Sequence, residues 1–310
     1  MIYTVTLNPS IDYVVYLPKF HEGDVNRTSK DEYLVGGKGI NVSVVLNNLG
    51  MESVCLGFIA GYTGKEIERL VKESGCSSQF ITVKEGISRI NIKMKHGQET
   101  EINGQGPNIG EEEVRLLLEQ VNHLNNGDIL VLAGSIPSSL PITIYKEIME
   151  IVKEKEVLCI VDTTKDLLRG VLQYRPFLIK PNHYELSEIF GVTIESRSEI
   201  IEYGKKLQQL GARNVFVSRA SKGAILLTEG GRVIETMAPS GTVVNSVGAG
   251  DSMIAGFLAS YLSHSDYERA VKYAVATGSA SAFSSALATK DSVEALVKQL
   301  ETRKTIRKNE

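Results

Sequence analysis

The segment Asn245-Ser246-Val247-Gly248-Ala249-Gly250-Asp251 runs straight into Met253–Leu262, an apolar stretch of helical character. Glycines at a helix start let backbone N–H groups close on an anion, and the helix dipole adds favourable potential for phosphate. The segment therefore reads as a phosphate cradle. Asp251 falls in the first turn, where the same dipole favours its charged form, which suits a carboxylate that orients a hydroxyl or accepts its proton. A plain loop followed by a charge-stabilised helix terminus accounts for these residues equally well. A second signal, Val35-Gly36-Gly37-Lys38-Gly39-Ile40-Asn41, sets three glycines around a lysine at another helix start. The GxxxxGK[ST] spacing of a P-loop is absent. Gly37 could bring backbone close to a polyhydroxylated ligand while Lys38 meets an anionic group and Asn41 bonds hydroxyls. The alternative is an ordinary tight turn.

Lys180-Pro181-Asn182-His183-Tyr184-Glu185 follows an expected strand, at the carboxyl edge where open α/β sheets bind ligands. Asn182 with Glu185 three positions on also makes a capping box, and from spacing alone the cap is the favoured reading. Ser135 after Asp128–Ala133 and Ser218 after Asn214–Val217 fall at the same edge, where serines usually begin turns. Arg27 and Arg89 could clamp a phosphate bidentately, although solvated arginines are the default for such positions.

The elements that must position these groups alternate from Ser53 onward, short β-branched runs with segments of helical period, the pattern of a mainly parallel sheet with helices on both faces. The class is α/β. Expected strands are Ile2–Leu7, Ser53–Phe58, Asp128–Ala133, Val157–Val161, Phe177–Lys180 and Asn214–Ser218. After Gly39, Val42, Val45, Leu46 and Leu49 recur at helical spacing, and Gly50 supplies the stop. Two stretches break the alternation. Arg89–Lys95 has strict period-two patterning, followed by His96-Gly97 and then Glu99–Asn103, a half-exposed hairpin and so an antiparallel insert. Asp12–Tyr16 and Glu32–Val35 add strand-like pieces that could join it in a small separate sheet. Without an internal repeat or low-complexity linker, residues 1–310 read as one domain with a β lid inserted from about 10–35 and 87–105.

Composition narrows the function classes. The 310 residues carry 34 Lys+Arg against 37 Asp+Glu, a net charge of −3 with no basic cluster of the kind nucleic acid requires. No aliphatic run approaches the roughly 18 residues of a spanning helix, and the first residues resemble no export signal, so a cytoplasmic protein is expected. Cys55, Cys76 and Cys159 are too scattered for a disulfide framework and read as small buried hydrophobes. The five histidines lack ligand spacing, which disfavours a protein-built zinc site. The basic tail Arg303, Lys304, Arg307 and Lys308 reads as a frayed, solvated terminus.

Together these residues resemble the PfkB branch of the ribokinase-like sugar kinases over essentially the whole chain. Gly36–Asn41 is similar to the first family signature, Val247–Asp251 to the second, and Asn182–Glu185 to the NxxE element. Thr6–Asp12, Thr100–Pro107 and Ala133–Pro137 point within it to 1-phosphofructokinases, with tagatose-6-phosphate kinases next. The resemblance implies a three-layer α/β/α sandwich with a mainly parallel central sheet and a small β lid, ATP as donor and Mg²⁺ as helper. It implies Asp251 as catalytic base, and Asp12, Gly37, Lys38, Asn41 and Ser135 around the sugar, with Arg27 and Arg89 on its phosphate. Lys180, Asn182, Ser218, Gly223, Val247, Gly248, Ala249 and Gly250 fall on the nucleotide, and Glu185 on Mg²⁺ through water. The implied reaction is phosphorylation of fructose 1-phosphate at O6, with tagatose 6-phosphate, fructose 6-phosphate or a catalytically silent sugar-phosphate sensor as rivals. A carboxylate with a pKa near 4 is a feeble base, so Asp251 is expected chiefly to orient the nucleophile. The partly apolar lid strands suggest a homodimer.

Overall fold

Runs such as Ile129–Ala133 and Leu158–Asp162 are β-branched or aliphatic at nearly every position, so they are stable only where both faces of a strand are covered. In the computed structural model, which describes residues 1–97, 99–163 and 165–309, and side chains as far as Thr302, they form the middle of the main sheet. The chain enters by β1 (Ile2–Thr6), leaves the body as β2 (Ser10–Tyr16) and β3 (Lys30–Gly36), and returns through α1 (Lys38–Asn48), β4 (Ser53–Ala60) and α2 (Gly61–Glu73). Short strands β5 (Ser77–Ser78) and β6 (Ile81–Val83) precede β7 (Arg89–Lys95) and β8 (Glu99–Asn103), which leave it again. Next come α3 (Glu111–Asn122), β9 (Ile129–Ala133), α4 (Ile144–Val152), β10 (Leu158–Asp162), α5 (Lys165–Val171), β11 (Leu178–Ile179), α6 (His183–Phe190), α7 (Arg197–Gln209) and β12 (Asn214–Ser218). A hairpin, β13 (Ala224–Leu227) and β14 (Val233–Thr236), leads to α8 (Ala249–His264), α9 (Tyr267–Ala282) and α10 (Lys290–Asn309).

The main sheet has the order β14-β13-β12-β11-β10-β9-β1-β4-β5, with β6 also on β4; its pairings are parallel except those of β13, which runs against both β12 and β14. One face buries Val5, Leu130, Leu132 and Val161 against α3 to α7; the other buries Val131, Ile160 and Phe216 against α1, α8 and α9. This is the expected three-layer sandwich. Each expected strand is present, Asn214–Ser218 with the expected bounds and the others with shifted ends. Asp128 falls outside β9 because its carboxylate accepts the Asn125 N–H at 2.8 Å and closes the preceding turn. β10 ends one residue later than expected, which makes Asp162 its last member. The helix after Gly39 stops as expected: Gly50 has φ +83°, and the Met51 N–H returns to the Leu46 carbonyl. The apolar helix after Gly250 is longer than its hydrophobic run, and its middle is buried all round.

The lid is a separate four-stranded sheet, order β3-β2-β7-β8. The β7–β8 hairpin is antiparallel as expected and β2 pairs antiparallel with β3, but the seam between the two pairs differs: β2 and β7 run parallel, from Ser10 opposite Arg89 to Tyr16 opposite Lys95. Both strands leave the body at the same edge, so they point the same way. Its alternation puts Asp12, Asn91, Lys93 and Asn103 on one face and Tyr13, Tyr33, Ile92 and Ile102 on the other. The backbone of α10 continues through the basic tail, whose Arg303, Lys304, Arg307 and Lys308 side chains lie outside the described residues.

Candidate active site

Parallel strands aim their carboxyl ends at one edge, and here β1, β9, β10, β11 and β12 deliver Asn8, Ser135, Asp162, Lys180, Asn182 and Ser218 to a single cleft of about 730 Å³. α1 adds Gly37 at its N-cap, Lys38 and Asn41; α8 adds Gly248, Gly250 and Asp251, with Val247 beside them. The lid closes the remaining side with Asp12, Arg89, Asn91, Lys93, Glu101 and Asn103. Gly37 has φ +131°, so the turn into α1 needs a residue without a side chain, and the Ile40 N–H just inside the helix is met by the Thr6 hydroxyl of β1 at 3.1 Å.

At the cleft floor Asp162 is 2% exposed and bridges two lysines, Lys38 Nζ at 3.2 Å and Lys180 Nζ at 3.4 Å. Burial pushes its carboxyl up, but Lys180 and Lys38 outweigh that and hold it below the usual range. Burial likewise pulls Lys38 down, yet Asp162, Asp251 and Glu185 prevail and raise it. Two ammonium groups are thus fixed in place, ready for anionic ligands. Motif reasoning passed over Asp162, although the end of a central parallel strand was the signal that could have found it.

Asp251 occupies the third position of α8 and is 5% exposed. Its Oδ2 accepts a hydrogen bond from Asn41 Nδ2 at 2.8 Å, and among the described residues no donor reaches Oδ1. Here an expectation is corrected. The helix dipole was to favour the charged form and keep the group near 4. Burial and then the Asp162 charge instead raise it to about 6, against the opposing pull of Asn41, Lys38 and Lys180. A carboxylate so poised is mostly ionised at neutral pH and far more basic than a solvated one.

The capping-box reading of Asn182 and Glu185 holds, and both residues also line the cleft. Asn182 Oδ1 accepts the Glu185 N–H at 2.9 Å and Glu185 Oε2 accepts the Asn182 N–H at 2.7 Å, a complete capping box that still lines the cleft. A parallel bridge between Asn182 and Ser218 extends the ladder and sets these two side by side. No set of three His, Cys, Asp or Glu side chains among the described residues is arranged to hold a metal ion. Glu185 Oε1 nevertheless takes no donor among them, a donor set that fits Mg²⁺ carried by phosphates and touched by protein through water. Gly223 and Ala249 do not line the cleft. Gly223 has φ +80°, and a Cβ there would fall 1.9 Å from the Thr236 carbonyl oxygen, so its role is the close approach of β14.

On the lid, Arg89 donates Nε to the Asn8 carbonyl at 3.0 Å and keeps its two terminal nitrogens for the cleft. Arg27 is exposed in the connection between β2 and β3 and is not brought to the cleft, because that connection springs from Tyr16, the end of β2 away from the body, where the Ser29 N–H bonds the Tyr16 carbonyl at 2.8 Å. Asp12 is there, ion-paired with Lys93 at 2.9 Å. Asn91 and Lys93 escaped motif reasoning, although period two places both on the face of Arg89.

A cleft with cationic side chains, two helix N-termini and one basic carboxylate suits phosphoryl transfer between anionic partners. A model described as pfkB family carbohydrate kinase matches residues 5–294. A 1-phosphofructokinase of Bacillus subtilis is 47% identical over 97% of this chain and 98% of its own length. A D-tagatose-1-phosphate kinase of Bacillus licheniformis is 37% identical over 93% of this chain and 94% of its own, so the tagatose relative is named for the 1-phosphate rather than the 6-phosphate expected from motifs. A crystal structure from Staphylococcus aureus, provisionally assigned as a phosphofructokinase, superposes with TM-score 0.86 at 44% identity over 96% of this chain and 97% of its own. The fold is ribokinase-like, and the chain belongs to the pfkB family of carbohydrate kinases, phosphotransferases that act on a sugar hydroxyl.

Proposed function

We propose that the protein transfers the γ-phosphoryl group of ATP to O6 of fructose 1-phosphate, giving fructose 1,6-bisphosphate and ADP. The observation that carries this reading is the placement of Asp251, buried and basic at the α8 N-terminus with one oxygen held by Asn41 and the other free toward the cleft. Asp12, Gly37, Asn41 and Ser135 bind the sugar, Arg89 and Lys38 its 1-phosphate, and the hydroxyl on C6 meets Asp251. Lys180, Asn182, Ser218, Val247, Gly248 and Gly250 take the nucleotide phosphates. Glu185 would hold ATP-borne Mg²⁺ through water, and the ion would supply positive charge against the phosphates. As the new bond forms, Asp251 accepts the hydroxyl proton, while Lys180 and the α8 amides hold the charge of the transferring group. The relatives named for ketose 1-phosphates support fructose 1-phosphate first and tagatose 1-phosphate second.

The test is ADP release from Mg-ATP with fructose 1-phosphate, tagatose 1-phosphate, tagatose 6-phosphate and fructose 6-phosphate in parallel. The highest kcat/KM is expected for fructose 1-phosphate. Asp251→Asn should lose at least about a hundredfold in turnover while sugar-phosphate binding survives. Absence of turnover with all four would leave a sugar-phosphate sensor and sink the kinase reading. Three free, buried cysteines suit a reducing cytoplasm. Tyr33, Ile90 and Ile102, exposed together on the outer lid face, suit pairing of two lids in a homodimer.

A further inference from the structure

We propose that Lys93 and Asn91 are positioning residues that set which ketose epimer the cleft accepts, by fixing the direction in which Asp12 presents its carboxylate; this rests on the sugar-phosphate reading above. Asp12 Oδ1 accepts from Ser10 Oγ at 2.7 Å and from Asn91 Nδ2 at 2.9 Å, and Oδ2 takes Lys93 Nζ at 2.9 Å. Asn91 is itself held: Nδ2 also reaches Ser10 Oγ at 3.1 Å, and Oδ1 accepts the Gly104 N–H at 3.2 Å. One amide thereby ties β2, β7 and the exit of β8. Lys93 is 8% exposed, with Glu101 behind it at 3.8 Å. A buried ion pair of this kind is a poor source of stability, because desolvation offsets the attraction. The Oδ1 side depends on a glycine: a Cβ at Gly36 would lie 2.5 Å from Asp12 Oδ1 and 2.4 Å from Ser10 Oγ, so any larger residue there would displace this arrangement.

An ionised carboxylate offers about four acceptor directions. Ser10, Asn91 and Lys93 fill three, so Asp12, which lines the cleft, keeps one for a ligand. Tagatose is the C4 epimer of fructose, and its C4 hydroxyl points to the opposite face of the ring. A single directed acceptor bonds one epimer and is left unpaired by the other, which is the situation that yields strong discrimination. Without the Lys93 ammonium, Oδ2 regains its lone pairs and can meet hydroxyls from either side.

The experiment compares the wild type with Lys93→Met, Lys93→Arg and Asn91→Ala, measuring kcat and KM for fructose 1-phosphate, tagatose 1-phosphate and ATP, with melting temperature as a check on folding. Lys93→Met should raise KM for the preferred ketose by about tenfold and shrink the kcat/KM ratio between epimers by at least about fivefold, while KM for ATP stays within about twofold. Lys93→Arg should restore most of the ratio. Equal losses on both ketoses, or a matching rise in KM for ATP, would overturn the proposal and leave Lys93 a structural residue. Should Lys93→Met fail to fold, Asn91→Ala, which keeps the ion pair, carries the same ratio test. A wild type inert toward both epimers brings down the kinase reading and this proposal with it; an active wild type whose variants keep its ratio brings down this proposal alone.

Discussion

Asp251 was legible in sequence as a carboxylate in the first turn of a glycine-led helix, but its basicity was not. The dipole of its own helix is local and readable; the burial and the Asp162 charge that outweigh it come from β10 and α1, far away in sequence. This has a measurable cost in stability. Asp251 holds its proton more tightly when folded, so between about pH 4 and 6 the native state binds more protons than the unfolded chain, and the group's contribution to stability falls as pH rises through that window. Above it, the ionised carboxylate costs up to about 3 kcal/mol. Asp251→Asn should therefore melt higher than the wild type at pH 8 and lose that advantage near pH 4. Equal melting temperatures at pH 8 would show that Asp251 carries no burial penalty.

At the scale of elements, the β7–β8 hairpin could be read from period two, whereas the parallel seam could not. Nothing local in Ser10–Tyr16 says that its partner is Arg89–Lys95, because pairing of distant strands is decided by where the body releases them. The same limit hid Asn91 and Lys93, which matter through what they face across that seam. The capping box was legible because it is local. Arg89 stands at the first position of β7, its Nε held by the Asn8 carbonyl, so its forked end is oriented before any ligand arrives. Arg89→Ala should raise KM for fructose 1-phosphate at least about tenfold, with KM for ATP nearly unchanged. A larger effect on ATP would place the lid over the wrong ligand.

For the molecule as a whole, alternation of strand and helix was enough to give the class and the central order of layers, because buried parallel strands have an unmistakable composition. The β13–β14 hairpin that ends the sheet was missed, its two strands being only four residues each. Lid pairing belongs to this scale too. Light scattering should report a mass of two chains, and Tyr33→Glu combined with Ile102→Glu should return one; a wild type that runs as a monomer at working concentration would remove the lid interface.

The parallel seam also sets an order in time. β2 emerges early in synthesis but has only β3 to pair with until the chain has passed β7, and contacts between distant segments form late because loop closure must come first. Asp12 therefore waits for Asn91 and Lys93, and Asp251 follows only after the strands that bury it. A nascent chain therefore carries β2, β3 and α1 long before α8 brings Asp251 to the cleft, so on the proposed chemistry the growing polypeptide has no base until α8 is in place.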